Sequence, residues 1–135
     1  MSTPTSSPDA ADRHARGLNT LDAVTANAGN AVVASLRDLA PELADFIVDF
    51  AYGEVISRPG IDLRTRQLTT VAALAAMGHP QLQLGVHIQG ALNVGATKAE
   101  VIEVLLQIAV YAGFPAAINA INTARRAFAE FDARG

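Results

Sequence analysis

The sequence predicts an all-α protein, a single-domain bundle of six or seven helices. Half of the 135 residues are hydrophobic, yet only 5% are aromatic. Alanine is very common, and this composition favours close-packed helices over strands, which prefer β-branched and aromatic residues. The chain is long enough for one hydrophobic core and too short to divide usefully.

The first residues, MSTPTSSPDAADRHAR, are polar and rich in Ser, Thr and Pro. They contain no apolar stretch that could form the core of a signal peptide. We therefore expect residues 1–16 to be a disordered tail and residues 17–135 to be the helical domain. No apolar run approaches the roughly 18 residues that a membrane-spanning helix needs, so we expect a cytoplasmic protein with no membrane partner.

Helix boundaries can be read along the chain. Apolar spacing from Leu18 to Leu39 is interrupted at residues 27–30, which predicts two short helices. Pro41 fits the first turn of the next helix, which ends at residues 58–60. The later boundaries are marked by a capping Asp, a capping box of Thr97 and Glu100, and several Gly and Pro residues: Asp62, Gly78, Pro80, Gly95, Gly113 and Pro115.

Two predicted helices lack a polar face, over residues 68–77 and 104–112. Such helices need burial on all sides. Because a domain of this size keeps much of its surface exposed, we expect an oligomer to cover the remainder. The alternative is a tight Ala-rich bundle whose other helices suffice.

Composition excludes several classes of function. Ten basic against 13 acidic residues give a net charge of −3, and the arginines are scattered, so nucleic acid is not an expected partner. The chain has no cysteine, which excludes a thiolate nucleophile, a dithiol pair and a disulfide framework. His14 lies in the tail and His79 in a turn, and no cluster shows metal-ligand spacing, so no metal is expected.

His87 is the first candidate for chemistry, since it lies between Val86 and Ile88 on a predicted helix. A histidine in such a setting is usually a hydrogen-bonded core residue. Burial lowers the pKa of an imidazole and keeps it neutral at pH 7, and a neutral ring can still donate a hydrogen bond or relay a proton.

Glu54 precedes Arg58 by four residues, a spacing that gives an ordinary intrahelical ion pair. Alternatively, Phe50, Tyr52 and Val55 surround Glu54 with apolar groups, and desolvation would then suit its carboxyl to general acid catalysis. Both interpretations remain open.

Three arginines, Arg58, Arg64 and Arg66, lie around one turn and the start of the following helix. Guanidinium groups bind carboxylates through two parallel hydrogen bonds, and a helix N-terminus also favours anions. Because Arg64 and Arg66 are two positions apart and point in different directions, at most one of them meets a given ligand.

These motifs together resemble the carboxymuconolactone decarboxylase family. The resemblance covers most of the chain from about Arg16, and it is carried by HxxxALxxGAT beginning at His87, by AVYAGFPAA, and by the upstream segment APELADFIVDFAYGEV. It implies an alkylhydroperoxidase-D-like helical fold. Thioredoxin-like members of that superfamily carry a CxxC pair where this chain has Pro80 and Gln83, so thiol–disulfide exchange is excluded here.

The resemblance implies the cofactor-free decarboxylation of 4-carboxymuconolactone to 3-oxoadipate enol-lactone in protocatechuate breakdown. It assigns His87 as donor to the developing oxyanion or as proton shuttle. We assign Glu54 as general acid, and Arg58 or Arg64 as the group that holds a substrate carboxylate. Family members associate as hexamers built from dimers, so a homohexamer is expected.

Two departures from the family leave the substrate open, namely the N-terminal tail and the neutral Gln67, where many relatives carry an acidic residue. One alternative is a related cofactor-free decarboxylase, isomerase or cyclase that acts on another lactone or polyketide-like acid. A second alternative is a non-catalytic oligomer that binds a small acidic ligand or a protein partner.

Overall fold

The computed structural model describes residues 8–135, and every regular element in that range is a helix. Seven are α-helices and one, π1, is a π-helix. In chain order they are α1 (Pro8–Thr25), α2 (Asn27–Leu36), α3 (Pro41–Asp45), π1 (Phe46–Ile56), α4 (Leu63–Met77), α5 (Gln81–Asn93), α6 (Lys98–Ala112) and α7 (Phe114–Ala133). The predicted all-α class is confirmed. The chain forms two compact units, one ending at Gly60 and one spanning Ile61–Gly135.

The N-terminal helix begins earlier than predicted. Residues 1–7 of the expected tail lie outside the described part of the chain, but from Pro8 onward the segment is helical rather than disordered. Polar contacts to π1 explain the difference. The Nε of Arg16 donates to the carbonyl oxygen of Gly53 at 2.8 Å, and Nδ1 of His14 lies 2.6 Å from a carboxylate oxygen of Asp49. A polar composition therefore does not prevent this segment from folding.

Within the first unit, α1 and π1 pack backbone against backbone. Two buried glycines make this approach possible. A Cβ atom built on Gly17 would lie 2.0 Å from the carbonyl oxygen of Val48, and one on Gly53 would lie 2.6 Å from that of Arg13. No side chain larger than a hydrogen atom fits at either position without a shift of the backbone.

The segment from Pro41 was predicted as one α-helix, whereas the structure changes to π geometry at Phe46. The N–H of Ser57 accordingly donates to the carbonyl oxygen of Tyr52, five residues earlier, at 3.1 Å. Apolar spacing gives no signal for the wider turn. π-Helical turns are rare, and where they do occur they are often found at functional sites. π1 is therefore a candidate functional element of the first unit.

The predicted break near residues 27–30 is found at Ala26, whose φ of 53° ends α1. The hydroxyl of Thr25 stabilises the junction, because it donates to the carbonyl oxygen of Leu21 at 2.7 Å and accepts from the N–H of Gly29 at 3.0 Å. Two helices therefore form here as expected, but the break precedes residues 27–30, which belong to α2, and α1 is a long helix of 18 residues rather than a short one.

In the second unit, each of the four helices α4 to α7 contacts the other three. Their shared core consists of small and aliphatic side chains, namely Val71, Ala75, Leu84, Ile88, Ala91, Ala96, Val101, Leu105, Ala120, Ala124 and Ala127. Alanine at α7 positions allows that helix to approach its neighbours closely, which accounts for the Ala-rich composition.

The helix ends of this unit follow the sequence signals. A carboxylate oxygen of Asp62 accepts from the N–H of Thr65 at 2.8 Å, and Gly78 ends α4 with a φ of 80°. At α6 the capping box is complete, since the Thr97 hydroxyl accepts from the N–H of Glu100 and Oε1 of Glu100 accepts from the N–H of Thr97, both at 3.0 Å. These predicted boundaries are confirmed.

Replacing Thr97 with alanine is expected to lower the free energy of unfolding by about 1 kcal/mol, because the first turn of α6 loses its side-chain acceptor. Urea denaturation monitored by circular dichroism would measure the change. Thr69→Ala is the matched control, since Thr69 is an exposed residue inside α4 whose hydroxyl bonds only to the preceding turn. Equal stability of the two variants would contradict a capping role for Thr97.

The two helices without a polar face are not buried on all sides within one chain. On α6, Val110 and Tyr111 are 76% and 85% exposed, and Met77 of α4 is 55% exposed. The exposed apolar surface of α6 continues onto the start of α7. We call this surface the α6–α7 strip, and its members are Leu106, Val110, Tyr111, Phe114 and Ile118. The expected burial in an oligomer stays a prediction.

Candidate functional site

His87 lies on α5 beside the face that packs into the core of the second unit. Leu84, Ile88 and Ala91 on that face are fully buried, while His87 is partly buried. Its Nδ1 atom is 3.0 Å from Oε1 of Gln67 on the neighbouring helix α4. An amide oxygen only accepts hydrogen bonds, so Nδ1 carries the proton in this arrangement and Nε2 of the neutral ring is unprotonated. Nε2 has no hydrogen-bond partner among residues 8–135.

Burial lowers the pKa of His87 below the usual value for histidine. The ring is therefore neutral at pH 7. It can hydrogen-bond to a substrate, but it holds no permanent positive charge that would attract an anion.

Gln67 is 1% exposed, and its Nε2 amide nitrogen has no hydrogen-bond partner in the described part of the chain. An unpaired buried donor costs about 1 to 3 kcal/mol. Apart from Thr123 on α7, the other buried side chains of this unit are apolar, so retaining a polar pair here at such a cost indicates a role other than packing.

Glu54, the predicted general acid, lies in π1 of the first unit. Its side chain is 46% exposed, and Oε1 is 3.6 Å from a guanidinium nitrogen of Arg13. An exposed pair of this kind contributes little to stability. Arg58 follows π1 in the same unit. The catalytic role of Glu54 and the binding role of Arg58 stay predictions.

Arg64 lies in the first turn of α4 and forms an ion pair with Oε2 of Glu100. Glu100 thus uses one carboxylate oxygen to cap α6 and the other to bind Arg64. The guanidinium group already has an acidic partner, and its predicted contact with a substrate carboxylate stays a prediction.

The structure brings His87 together with Gln67, and it places Arg64 in the same unit. Sequence reasoning singled out Gln67 only as a departure from the family and missed its contact with His87. The two residues are 20 positions apart on different helices, so no local spacing reveals the contact.

The second unit has a surface cleft of about 210 Å³ between α5 and α7 and another of about 280 Å³ between α4 and α6. A further cleft of about 340 Å³ lies between the end of α4, the start of α5 and α7. His87 lines none of these three. Within residues 8–135, no group of three or more His, Asp or Glu side chains is arranged to hold a metal ion, and no helix is long and apolar enough to span a membrane.

Comparison with known proteins identifies the family. The chain is 39% identical over 99 residues to the 4-carboxymuconolactone decarboxylase of Acinetobacter baylyi, with 73% of each chain covered. It is 39% identical over 77 residues to the nitrosuccinic acid decarboxylase npaB of Metarhizium robertsii, covering 57% of this chain and 53% of that one. An uncharacterized 15.0 kDa protein of Paracoccus denitrificans is 33% identical over 101 residues, covering 73% of this chain and 74% of that one. A model of the carboxymuconolactone decarboxylase family matches residues 41–126, and the chain belongs to that family.

Proposed function

We propose that this protein decarboxylates 4-carboxymuconolactone to 3-oxoadipate enol-lactone without a cofactor. The observation that carries the proposal is a neutral His87, anchored through Nδ1, whose Nε2 has no partner among residues 8–135. Similarity over 73% of the chain to a protein named for this reaction supports it. A second relative is also named as a decarboxylase, which supports carboxy-lyase chemistry more generally.

The proposed reaction needs few groups. When the bond between the ring carbon and the carboxylate breaks, its electron pair delocalises through the unsaturated lactone toward the carbonyl oxygen. Carbon dioxide leaves, and one proton is added to carbon. A hydrogen-bond donor at the carbonyl oxygen stabilises the developing negative charge and lowers the barrier. We assign this contact to Nε2 of His87, in the neutral form of the ring that carries its proton on Nε2 rather than on Nδ1.

We assign the delivery of the proton to an acid other than His87. Burial disfavours an imidazolium, and Gln67 offers no negative charge to stabilise one. We propose Glu54 as this acid. Arg58 or Arg64 would bind the carboxylate that the product retains, because strong binding of the departing carboxylate would oppose its loss.

A second candidate is the decarboxylation of a different acid on the same scaffold. The observation that favours it is the 39% identity to a nitrosuccinic acid decarboxylase, which equals the identity to the lactone enzyme over a shorter segment. Both candidates use a carbanion stabilised by conjugation with an adjacent acceptor group, so the same donor serves either reaction.

The test is ultraviolet-monitored turnover by the wild-type protein, with 4-carboxymuconolactone generated in situ and nitrosuccinate in a parallel assay. Rapid loss of the lactone with the enol-lactone as product would support the first candidate. Turnover of nitrosuccinate alone would move the assignment to the second. A folded protein that converts neither acid would overturn both and favour a non-catalytic ligand-binding oligomer.

We also propose that the protein assembles as a homohexamer, a trimer of dimers, and that the α6–α7 strip lies in an interface. Val110→Asp is expected to lower the mass measured by light scattering at micromolar concentration, because it places a charge in an apolar contact. Ala129→Asp is the control, since it adds the same charge at an exposed α7 position outside the strip. An unchanged mass for Val110→Asp would remove the strip from the interface.

A further inference from the structure

Only one end of the Gln67 side-chain amide forms a hydrogen bond. Its oxygen accepts from Nδ1 of His87, while its buried nitrogen has no partner among the described residues. The oxygen and nitrogen ends of a side-chain amide are nearly equal in size. A half-turn about the last bond of the side chain therefore exchanges them without changing the packing.

The two orientations have different consequences for His87. With the oxygen toward Nδ1, the proton is on Nδ1 and Nε2 accepts hydrogen bonds. With the nitrogen toward Nδ1, the amide donates, the proton moves to Nε2, and Nε2 becomes a donor. Each orientation leaves one end of the amide unpaired, so the two have similar energies.

A carboxylate at position 67 would not have this freedom. Both of its oxygens accept, so it would hold the proton on Nδ1 and leave the neutral ring with only an acceptor at Nε2. The oxyanion in the proposed reaction needs a donor at that atom. A neutral amide permits this donor on a neutral ring, whereas a carboxylate permits it only when the ring is an imidazolium.

We propose that Gln67 is a positioning residue that sets which ring nitrogen of His87 carries the proton, and that turning its amide over presents an N–H at Nε2 to the substrate. The kinetic part of this inference rests on the proposed decarboxylation. The tautomer itself can be measured in the free protein.

Other charged groups do not supply a competing partner for the ring. α5 packs against α4, α6 and α7. Arg64 pairs with Glu100, Lys98 pairs with Asp132, and Glu130 accepts from the amide of Gln89. The remaining titratable side chains on those three helices are Arg66, Glu103, Tyr111, Arg125 and Arg126. Burial is the cause of the lowered pKa of His87.

The experiment is nitrogen NMR of protein labelled with ¹⁵N-histidine, for the wild type and for Gln67→Glu and Gln67→Leu, across a pH titration. In the wild type, both ring nitrogens of neutral His87 are expected at shifts averaged between the protonated and unprotonated values, because both tautomers are populated. In Gln67→Glu, the pKa of His87 is expected to rise, and above it Nδ1 alone should carry the proton. His79 and its unchanged signals serve as the internal reference.

Two results would overturn the inference. One is a wild-type spectrum with the proton fixed on Nδ1, as expected of Gln67→Glu. The other is a Gln67→Glu variant whose His87 titrates as in the wild type. The buried carboxylate of Gln67→Glu could prevent folding, and Gln67→Leu then serves as the test variant because leucine is similar in size and has no polar side-chain atoms. Loss of the amide in this variant should also alter the tautomer ratio of His87.

Kinetics supply an independent readout if the wild type decarboxylates the lactone. Gln67→Leu is expected to lower kcat about tenfold with KM little changed, through loss of one positioning hydrogen bond. Gln67→Glu should lose activity at high pH and recover it as the pH falls through the raised pKa, because an imidazolium again donates from Nε2. A wild type without activity would leave the NMR test standing, so failure of the function and failure of the inference are distinguishable.

Discussion

Replacing His87 with alanine is expected to lower kcat for decarboxylation of 4-carboxymuconolactone by about 10²- to 10³-fold, the usual effect of removing one oxyanion donor. KM should change little, because the hydrogen bond strengthens as negative charge develops and contributes less in the ground state. Ultraviolet-monitored initial rates over a range of lactone concentrations would separate the two constants.

The matched control is His79→Ala, which removes an exposed histidine from the turn before α5. It should retain wild-type turnover. Circular dichroism should show that both variants are folded, since His87→Ala also leaves Gln67 without its partner. Wild-type rates in a folded His87→Ala protein would exclude His87 from the mechanism.

The second large effect is expected for Gly17→Ala, which should destabilise the first unit by about 3 kcal/mol. The added Cβ would lie 2.0 Å from the carbonyl oxygen of Val48, 2.9 Å from its carbonyl carbon and 3.2 Å from the backbone nitrogen of Gly53. These are backbone atoms, so a side-chain rotation cannot relieve the overlap. α1 and π1 would have to separate. Urea denaturation followed by circular dichroism would measure the loss.

Gly85→Ala provides the control for that substitution. Gly85 is also inside a helix, but a Cβ there would meet only Cγ2 of Thr123, at an ordinary 3.7 Å. Alanine has the higher helix propensity, so this variant should be as stable as the wild type or more stable by about 0.5 to 1 kcal/mol. If Gly17→Ala were as stable as Gly85→Ala, that result would contradict the close packing of α1 against π1.

Local sequence signals predicted much of the second unit. Asp62, Gly78 and the pair Thr97 and Glu100 act on backbone groups within a few residues, so their effects are visible in the sequence. The first unit was predicted less well because its organisation depends on distant contacts. Arg16 is 37 positions from Gly53, and nothing near either residue indicates that their helices meet.

The candidate site was likewise predicted only in part. His87 could be identified because it is polar within an apolar segment and begins a family motif. Its contact with Gln67 could not be predicted, because residues on two different helices meet only after the helices have packed. The orientation of a side-chain amide also depends on every donor and acceptor around it, which sequence spacing does not describe.

The carboxylate of Glu100 both caps α6 and pairs with Arg64, and the two contacts together limit which residues can replace it in this family. The cap on α6 requires a side chain that reaches back to the N–H of Thr97, and the bond to Arg64 requires a negative charge. Glutamine satisfies the first requirement but not the second, and aspartate carries the charge on a shorter side chain. Positions 64 and 100 should therefore covary among homologues, with glutamine at 100 accompanying an uncharged residue at 64.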